Sequence, residues 1–229
     1  MAVDTARSFV RELKDEILNS GMLVKDSRLV QGVYRGTLSR EDLRGWALQD
    51  SQYRRAVPRL AMLRYLHCSD PEFQERLGGV VAEEAAGADT HTDGHWQLFL
   101  RFAGAIGLSE DEVVSSRAYP AAAAHIYWAE LIVWTLPWFV AMSAQLAGEW
   151  QAPPAVMLVN EGLQKHYGLS AEEATFFSVH GEADEDHGTL VQDIIARYIV
   201  TPELQRQVRA VMRRKLELQW DMWNMFEAY

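Results

Sequence analysis

Residues 176–187 hold two histidines and an aspartate at spacings that suit metal binding. His180, Asp184 and His187 are separated by four and three residues. On a helix, residues at i, i+4 and i+7 share one face, so these three side chains lie on a single stripe. Imidazole and carboxylate together suit divalent iron, manganese or zinc. The alternative is a solvated acidic helix with two incidental histidines, and the triplet alone leaves both interpretations open.

Glu149 lies at the end of an apolar stripe. Trp138, Met142, Gln145 and Glu149 follow one another at intervals of four, three and four residues, which is typical of a buried helix face. A carboxylate on such a face must be neutralised, paired or bound to a metal, because burying it bare is costly. The alternative is a carboxylate at a helix edge, paired with an arginine.

Two adjacent glutamates end another predicted helix. Glu84 shares a face with Leu77 and Val80, whereas Glu83 is expected beside Arg76. The same pair of interpretations applies here, a metal ligand or an edge carboxylate paired with an arginine. Glu84 is the candidate ligand because it lies on the apolar face.

The region that follows supplies an imidazole. His95 begins a predicted helix in which Leu98 and Phe99 face inward. His91 lies in the loop before that helix and is expected to be a surface residue. His95 is therefore the preferred ligand.

Together the candidates are three carboxylates and three imidazoles on four helices. Inward-facing Glu and His side chains from facing helices hold two metal ions in carboxylate-bridged bundles. Three anionic ligands offset most of the charge of two ferrous ions. The predicted metal-ligand and catalytic set is Glu84, His95, Glu149, His180, Asp184 and His187.

The elements that position these residues are predicted to be helices. Strand signals are nearly absent, with no Asn-Gly or Asp-Gly hairpin turn. Helix starts are marked by Ser39 with Asp42, by Pro120, and by Thr-Pro-Glu at 201–203. We predict an all-α fold of seven or eight helices in a single domain over residues 1–229. The expected helices cover about 4–19, 37 onward, 71–86, 95–107, 120–153 with a break at Pro137, 154–167, 171–197 and 202 to the C terminus.

Composition excludes several classes of function. The 229 residues carry 22 basic and 32 acidic side chains, for a net charge of −10, which argues against nucleic acid and anionic membranes as partners. The single cysteine excludes an internal disulfide and a multi-cysteine zinc site. Residues 1–18 contain no signal-peptide core, and the longest apolar run, 132–144, is too short to span a bilayer. We predict a cytoplasmic protein.

Several stretches resemble the haem-oxygenase-like di-iron oxidases, relatives of the TenA and PqqC proteins and of the chlamydial protein that associates with death domains. The resemblance spans essentially the whole chain, and the His-x3-Asp-x2-His helix is its most specific part. The matching stretches are residues 176–187, Gly-Leu-x2-His-Tyr-Gly at 162–168, Gly-Glu-x2-Ala-Pro at 148–153, 36–49 and 95–108.

The resemblance implies helices around a cavity, two Fe(II) ions or an iron–manganese pair, and O2 as co-substrate. It also implies a homodimer and a small carboxylate-bearing substrate, an amino acid or a fatty acid, that undergoes N-oxygenation, desaturation or C–C cleavage. The family's six ligands fall on the residues given above. The stretch between Glu84 and His95 is longer than in close relatives, which leaves His91 and Glu83 open as alternative ligands.

Two other interpretations of the same fold remain, a metal-free oxidase and a non-enzymatic interaction protein. His125 is expected to be a packing or supporting residue. Three basic residues are candidates for binding a substrate carboxylate: Arg54, Arg55 and Lys165. One branch of the family consumes its own tyrosine, and three tyrosines are candidates for oxidation: Tyr34, Tyr53 and Tyr127.

Overall fold

The computed structural model describes the backbone of residues 2–224 and the side chains of residues 7–181 and 189–224. Within these ranges every regular element is a helix, which confirms the predicted all-α fold. A 3₁₀ turn at Val24–Asp26 precedes the second α-helix. The α-helices are α1 (Ala2–Leu18), α2 (Arg28–Arg35), α3 (Arg40–His67), α4 (Pro71–Ala86), α5 (His95–Ala105), α6 (Glu110–Ser115), α7 (Pro120–Thr135), α8 (Trp138–Ser143), α9 (Gln145–Glu149), α10 (Ala152–Tyr167), α11 (Thr175–Tyr198) and α12 (Pro202–Asn224).

Local sequence signals account for where the long helices begin. Ser39 accepts a hydrogen bond from the amide of Asp42, whose carboxylate accepts from the amide of Ser39 in return, so the predicted capping box starts α3. Asp70 caps α4, and Pro71 occupies its first turn. These contacts satisfy amide groups that have no partner within the helix.

The prediction of seven or eight helices is wrong, because α1 to α12 all form in the described part of the chain. Neither α2 nor α6 is predicted, since eight and six residues are too few to show a clear helical period. The helix predicted after Pro120 is divided into α7, α8 and α9. Leu136 is extended, as expected of a residue before proline, and α8 begins after Pro137.

Two groups of buried apolar side chains form the core. The first lies mainly between α2, α3, α5, α10 and α11 and includes Trp46 and Phe99. The second joins α1, α4, α8, α9, α11 and α12, and it contains the predicted stripe of α1: Phe9, Leu13 and Ile17. Members of both groups line two small adjoining cavities, which places these cavities between the two parts of the core.

None of the helices in the described residues combines the length and the apolar character that crossing a membrane requires.

Candidate metal centre

Three predicted ligands from three helices meet at one point. Glu84 lies on α4, His95 begins α5 and His180 lies on α11. One ligand atom from each lies within 4.8 Å of the others. Nitrogen and carboxylate ligands bind a metal at about 2 Å, so these groups need only small side-chain movements to share one ion.

His180 is held in the protonation state that a metal requires. Its Nδ1 lies 2.7 Å from the carbonyl oxygen of Phe176, so Nδ1–H donates to that oxygen and Nε2 is the atom that could bind a metal. Burial, together with the positive charge of Arg54 and of His95, lowers the pKa of His180 to about 3. The ring is therefore neutral at physiological pH, and neutral imidazole is the form that binds metals.

His95 lies between two carboxylates. Its Nδ1 is 3.0 Å from Oε2 of Glu84, and its Nε2 is 3.0 Å from Oε1 of Glu83. Burial acts to lower the pKa of His95, but the hydrogen bonds and charges of Glu84 and Glu83 outweigh it and raise the pKa. A metal bound by Nδ1 together with Glu84 would leave Nε2–H donating to Glu83. Metal-binding histidines commonly donate their second N–H to a carboxylate in this way.

Glu83 lies on the face of α4 that carries Arg76, but its side chain is buried, with an exposure of only 1%. Arg76 pairs with Asp193 instead. The carboxylate of Glu83 accepts hydrogen bonds from the amides of Asp89 and Thr90, at 2.6 and 3.2 Å, and from the Thr90 hydroxyl at 2.7 Å. Burial acts to raise the pKa of Glu83, but these bonds and His95 lower it to about 2. The loop between α4 and α5 folds back over the end of α4, which helical periodicity cannot show.

That loop is compact because two glycines let backbone segments touch. Gly87 has a positive φ of 60°, and a Cβ there would lie 2.4 Å from the carbonyl oxygen of Thr92. A Cβ on Gly94 would lie 2.3 Å from the carbonyl oxygen of Ala85. The loop therefore fixes the start of α5 against the end of α4, which brings His95 to Glu84. His91 is exposed in this loop, outside the cluster.

Glu149 lines the same cavity as Glu84, His95 and His180. This cavity has a volume of about 110 Å³, and an adjoining one of about 60 Å³ is lined by Glu84 and Glu149. The predicted stripe that ends at Glu149 is divided between α8 and α9, yet Glu149 still lies on the cavity wall.

Asp184 and His187 lie on α11, one and two turns beyond His180. Their side chains fall outside the described residues, so their part in the ligand set stays a prediction.

Positive charge lines another part of this cavity. Arg54 lies on α3, where its Nε donates to the buried Asp50 at 2.9 Å and its guanidinium stacks on Phe176. Lys215 enters from α12 with an exposure of only 3%. Its Nζ lies 2.7 Å from Nε2 of His125 and 3.4 Å from the hydroxyl of Tyr53.

Lys215 is a cavity residue outside the predicted site residues, although the sequence contains a signal for it. It lies seven residues after Val208, four after Val211 and three after Met212, all of which are buried. A lysine in the middle of an apolar helical stripe is unusual, because a buried ammonium needs compensation.

The other candidate carboxylate-binding residues lie elsewhere. Arg55 donates to the carbonyl of Val114 and to Gln52, and Lys165 is exposed on α10. Among the candidate tyrosines, Tyr53 lines the cavity, whereas Tyr127 is 69% exposed.

A family described as iron-containing redox enzyme matches residues 44–220 of the chain. A 4-aminobenzoate synthase of Nitrosomonas europaea is 28% identical over 96% of this chain and 90% of that protein. A 4-aminobenzoate synthase of Chlamydia pneumoniae is 22% identical over 95% of this chain and 93% of that protein.

A solved structure from Shewanella denitrificans, described as having a heme oxygenase-like fold, superposes with a TM-score of 0.73 at 20% identity. The match covers 96% of this chain and 89% of that one. The predicted fold family is therefore confirmed. With more than half of its length matched, the chain belongs to the family of iron-containing redox enzymes with the haem oxygenase-like fold.

Proposed function

We propose that the chain is an O2-dependent di-iron oxidase that acts on a small aromatic carboxylate in the formation of 4-aminobenzoate. The observation that carries this proposal is the cluster of Glu84, His95 and His180 on a cavity that Glu149 also lines. The activity named for two relatives of similar length supports the choice of product.

The chemistry of the donor set fits iron. Glu84, His95 and His180 would hold one ion, and Glu149 with Asp184 and His187 would complete the set for two. Two ferrous ions in such a site supply electrons for the reduction of O2, and an iron–manganese pair suits the same ligands. Glu83 would accept a hydrogen bond from Nε2–H of His95, the ring nitrogen that does not bind the metal. The carbonyl of Phe176 would accept one from Nδ1–H of His180.

The size and charge of the cavity favour a ring over a long acyl chain. Its volume of about 110 Å³ is close to the ~150 Å³ of an engineered apolar cavity that binds benzene. Arg54 and Lys215 on its wall favour an anionic substrate over a cationic one. Of the substrate classes that the resemblance implies, a fatty acid is therefore disfavoured.

The test begins with anaerobic addition of ferrous ion to the purified full chain, followed by O2. We expect two ions to bind per chain, O2 to be consumed, and 4-aminobenzoate to appear by chromatography once the aromatic substrate is supplied. Mass spectrometry of the chain before and after turnover reports whether a tyrosine of the chain itself is the source of the ring.

Substitutions at two histidines of the same region give a test variant and a matched control. His95→Ala is expected to lower iron affinity and O2 consumption at least about tenfold, because it removes a ligand. His91→Asn changes an exposed loop histidine with a positive φ, which Asn tolerates, and should behave as wild type. Wild-type protein that takes up no iron, or a His95→Ala variant that consumes O2 normally, contradicts the proposal.

A further inference from the structure

Lys215 is a buried cation on the wall of the cavity that contains the candidate metal ligands. Its side chain is 3% exposed, and it lines the cavity together with Glu84, His95 and His180. Lysine is almost never fully buried unless it is paired. The buried ammonium group of Lys215 therefore needs a hydrogen-bonding or negatively charged partner.

The contacts of Lys215 with the described residues use two of its three donors. An ammonium group has three N–H donors. One donates to Nε2 of His125 at 2.7 Å and a second to the hydroxyl of Tyr53 at 3.4 Å. Within residues 7–181 and 189–224 the third N–H has no acceptor.

Neither contact supplies a negative charge. His125 is completely buried, and burial together with the charge of Lys215 lowers its pKa well below the ordinary value. Its ring is therefore neutral and accepts at Nε2, while Nδ1 faces the sulfur of Met222 at 3.5 Å. The Tyr53 ring stacks on that of His125 at 4.7 Å between centroids, which fixes the position of its hydroxyl.

Arg54, the other cation on the wall of this cavity, has a carboxylate that compensates its charge. Arg54 forms an ion pair with Asp50 at 2.9 Å, whereas no described carboxylate lies within ion-pair distance of Lys215. Burial lowers the pKa of Lys215, and the tyrosine and the more distant Glu149 offset this only in part. A buried ammonium of this kind gains stability from an anion that enters the cavity.

We infer that Lys215 and the Tyr53 hydroxyl form an anion subsite that binds the carboxylate of the substrate. The third N–H of Lys215 and the Tyr53 O–H donate to the two carboxylate oxygens, and the ring of the substrate occupies the cavity beside the ligand cluster. This subsite selects carboxylates over neutral analogues of the same shape. The inference rests on the proposed function, because it takes the cavity as the substrate site.

Binding of benzoate and of benzamide to the full chain tests the subsite. These probes share a ring and differ in charge, and calorimetry on the anaerobic ferrous-loaded protein measures both without turnover. We expect Lys215→Met to weaken benzoate binding at least about tenfold, which is about 1.4 kcal/mol, and to leave benzamide binding unchanged. The control is Arg213→Met, which removes a positive charge from the same helix at a side chain that is 80% exposed. It should bind benzoate as wild type does.

Tyr53→Phe is the second arm, and it keeps the ring that stacks on His125. It should weaken benzoate binding about threefold or more, and it keeps the inference testable if Lys215→Met fails to fold. The inference is overturned if wild type binds no benzoate, if both variants bind it normally, or if benzamide binding falls equally. Failure of the proposed function is distinguishable, because it appears as missing iron uptake or O2 consumption in the wild-type chain.

Discussion

Glu83 and Glu84 are adjacent in the sequence, but their side chains have different partners in the site. Glu84 belongs to the group of ligand atoms with His95 and His180, whereas Glu83 holds the opposite nitrogen of His95 and the amides of the following loop. A ligand carboxylate binds the ion directly, and its supporting neighbour acts through the histidine.

Substituting each glutamate separates these roles. Glu84→Gln is expected to weaken iron binding about 100-fold or more, because a ligand charge is lost. Glu83→Gln should weaken it by about 10- to 100-fold, the usual effect of removing the partner of a metal-bound histidine, and should also lower thermal stability. Competition with a chelator measures the affinity.

Glu75→Gln is the control, because Glu75 is an exposed carboxylate on the same helix. Equal losses in Glu84→Gln and Glu83→Gln, with no change in stability, would contradict the assignment of roles.

Helical periodicity predicts Glu84, His95 and His180 because each lies on the inward face of its own helix. It does not predict the burial of Glu83, because the contacts of that side chain come from the loop that folds back over the end of α4. Lys215 is the opposite case, because the apolar stripe that contains it is visible in the sequence. Contacts between distant segments, such as Lys215 with His125, cannot be derived from either pattern.

The loop between α4 and α5 shows how an irregular element sets the geometry of the site. Because Gly94 directly precedes His95 and packs on the carbonyl of Ala85, a side chain at this position must displace the start of α5. Gly94→Ala is therefore expected to weaken iron binding about tenfold or more and to lower the melting temperature. Calorimetric titration with ferrous ion and thermal unfolding measure the two effects.

The matched control is Gly79→Ala on α4, where an added Cβ meets nothing within 4 Å. Ala in a helix interior is favoured over Gly by about 0.5–1 kcal/mol, so this variant should be more stable than wild type with unchanged iron binding. The role assigned to the loop fails if Gly94→Ala binds iron as tightly as Gly79→Ala does.

Sequence signals predict the long helices well where capping residues and prolines mark their ends, as Ser39 and Pro71 do. They fail where an element is shorter than two helical periods, as in α6, and at the break between α8 and α9, where Ala144 carries no helix-breaking signal. The compact course of the loop over residues 87–94 depends on backbone contacts that no periodicity encodes.

At the scale of the whole molecule, the homodimer stays a prediction, and one face of the chain indicates where to test it. Exposed apolar side chains gather on α3 and α7, where Trp134 also contacts the ring of His67. Isolated exposed apolar residues are ordinary, but a contiguous group commonly marks an interface. The group consists of Met62, Leu66, Tyr127, Leu131 and Trp134.

Leu131→Glu places a charge in this face and is expected to convert the dimer into a monomer, as measured by light scattering after size-exclusion chromatography. Val200→Glu is the control, since Val200 is 59% exposed in the link between α11 and α12. A wild-type chain that is monomeric, or a Leu131→Glu variant that stays dimeric, contradicts the use of this face.

The carboxylate of Glu83 joins the interior of the molecule to its surface, because the same group that holds His95 also accepts the amides of Asp89 and Thr90. The exchange rates of those two amide protons should therefore depend on whether His95 binds an ion. Loading with iron is expected to slow their exchange with deuterium at least about tenfold, since local opening of the loop would then disturb a bound histidine. Deuterium exchange in the turn at 89–90 therefore shows whether the centre contains iron without an absorption signal from the metal.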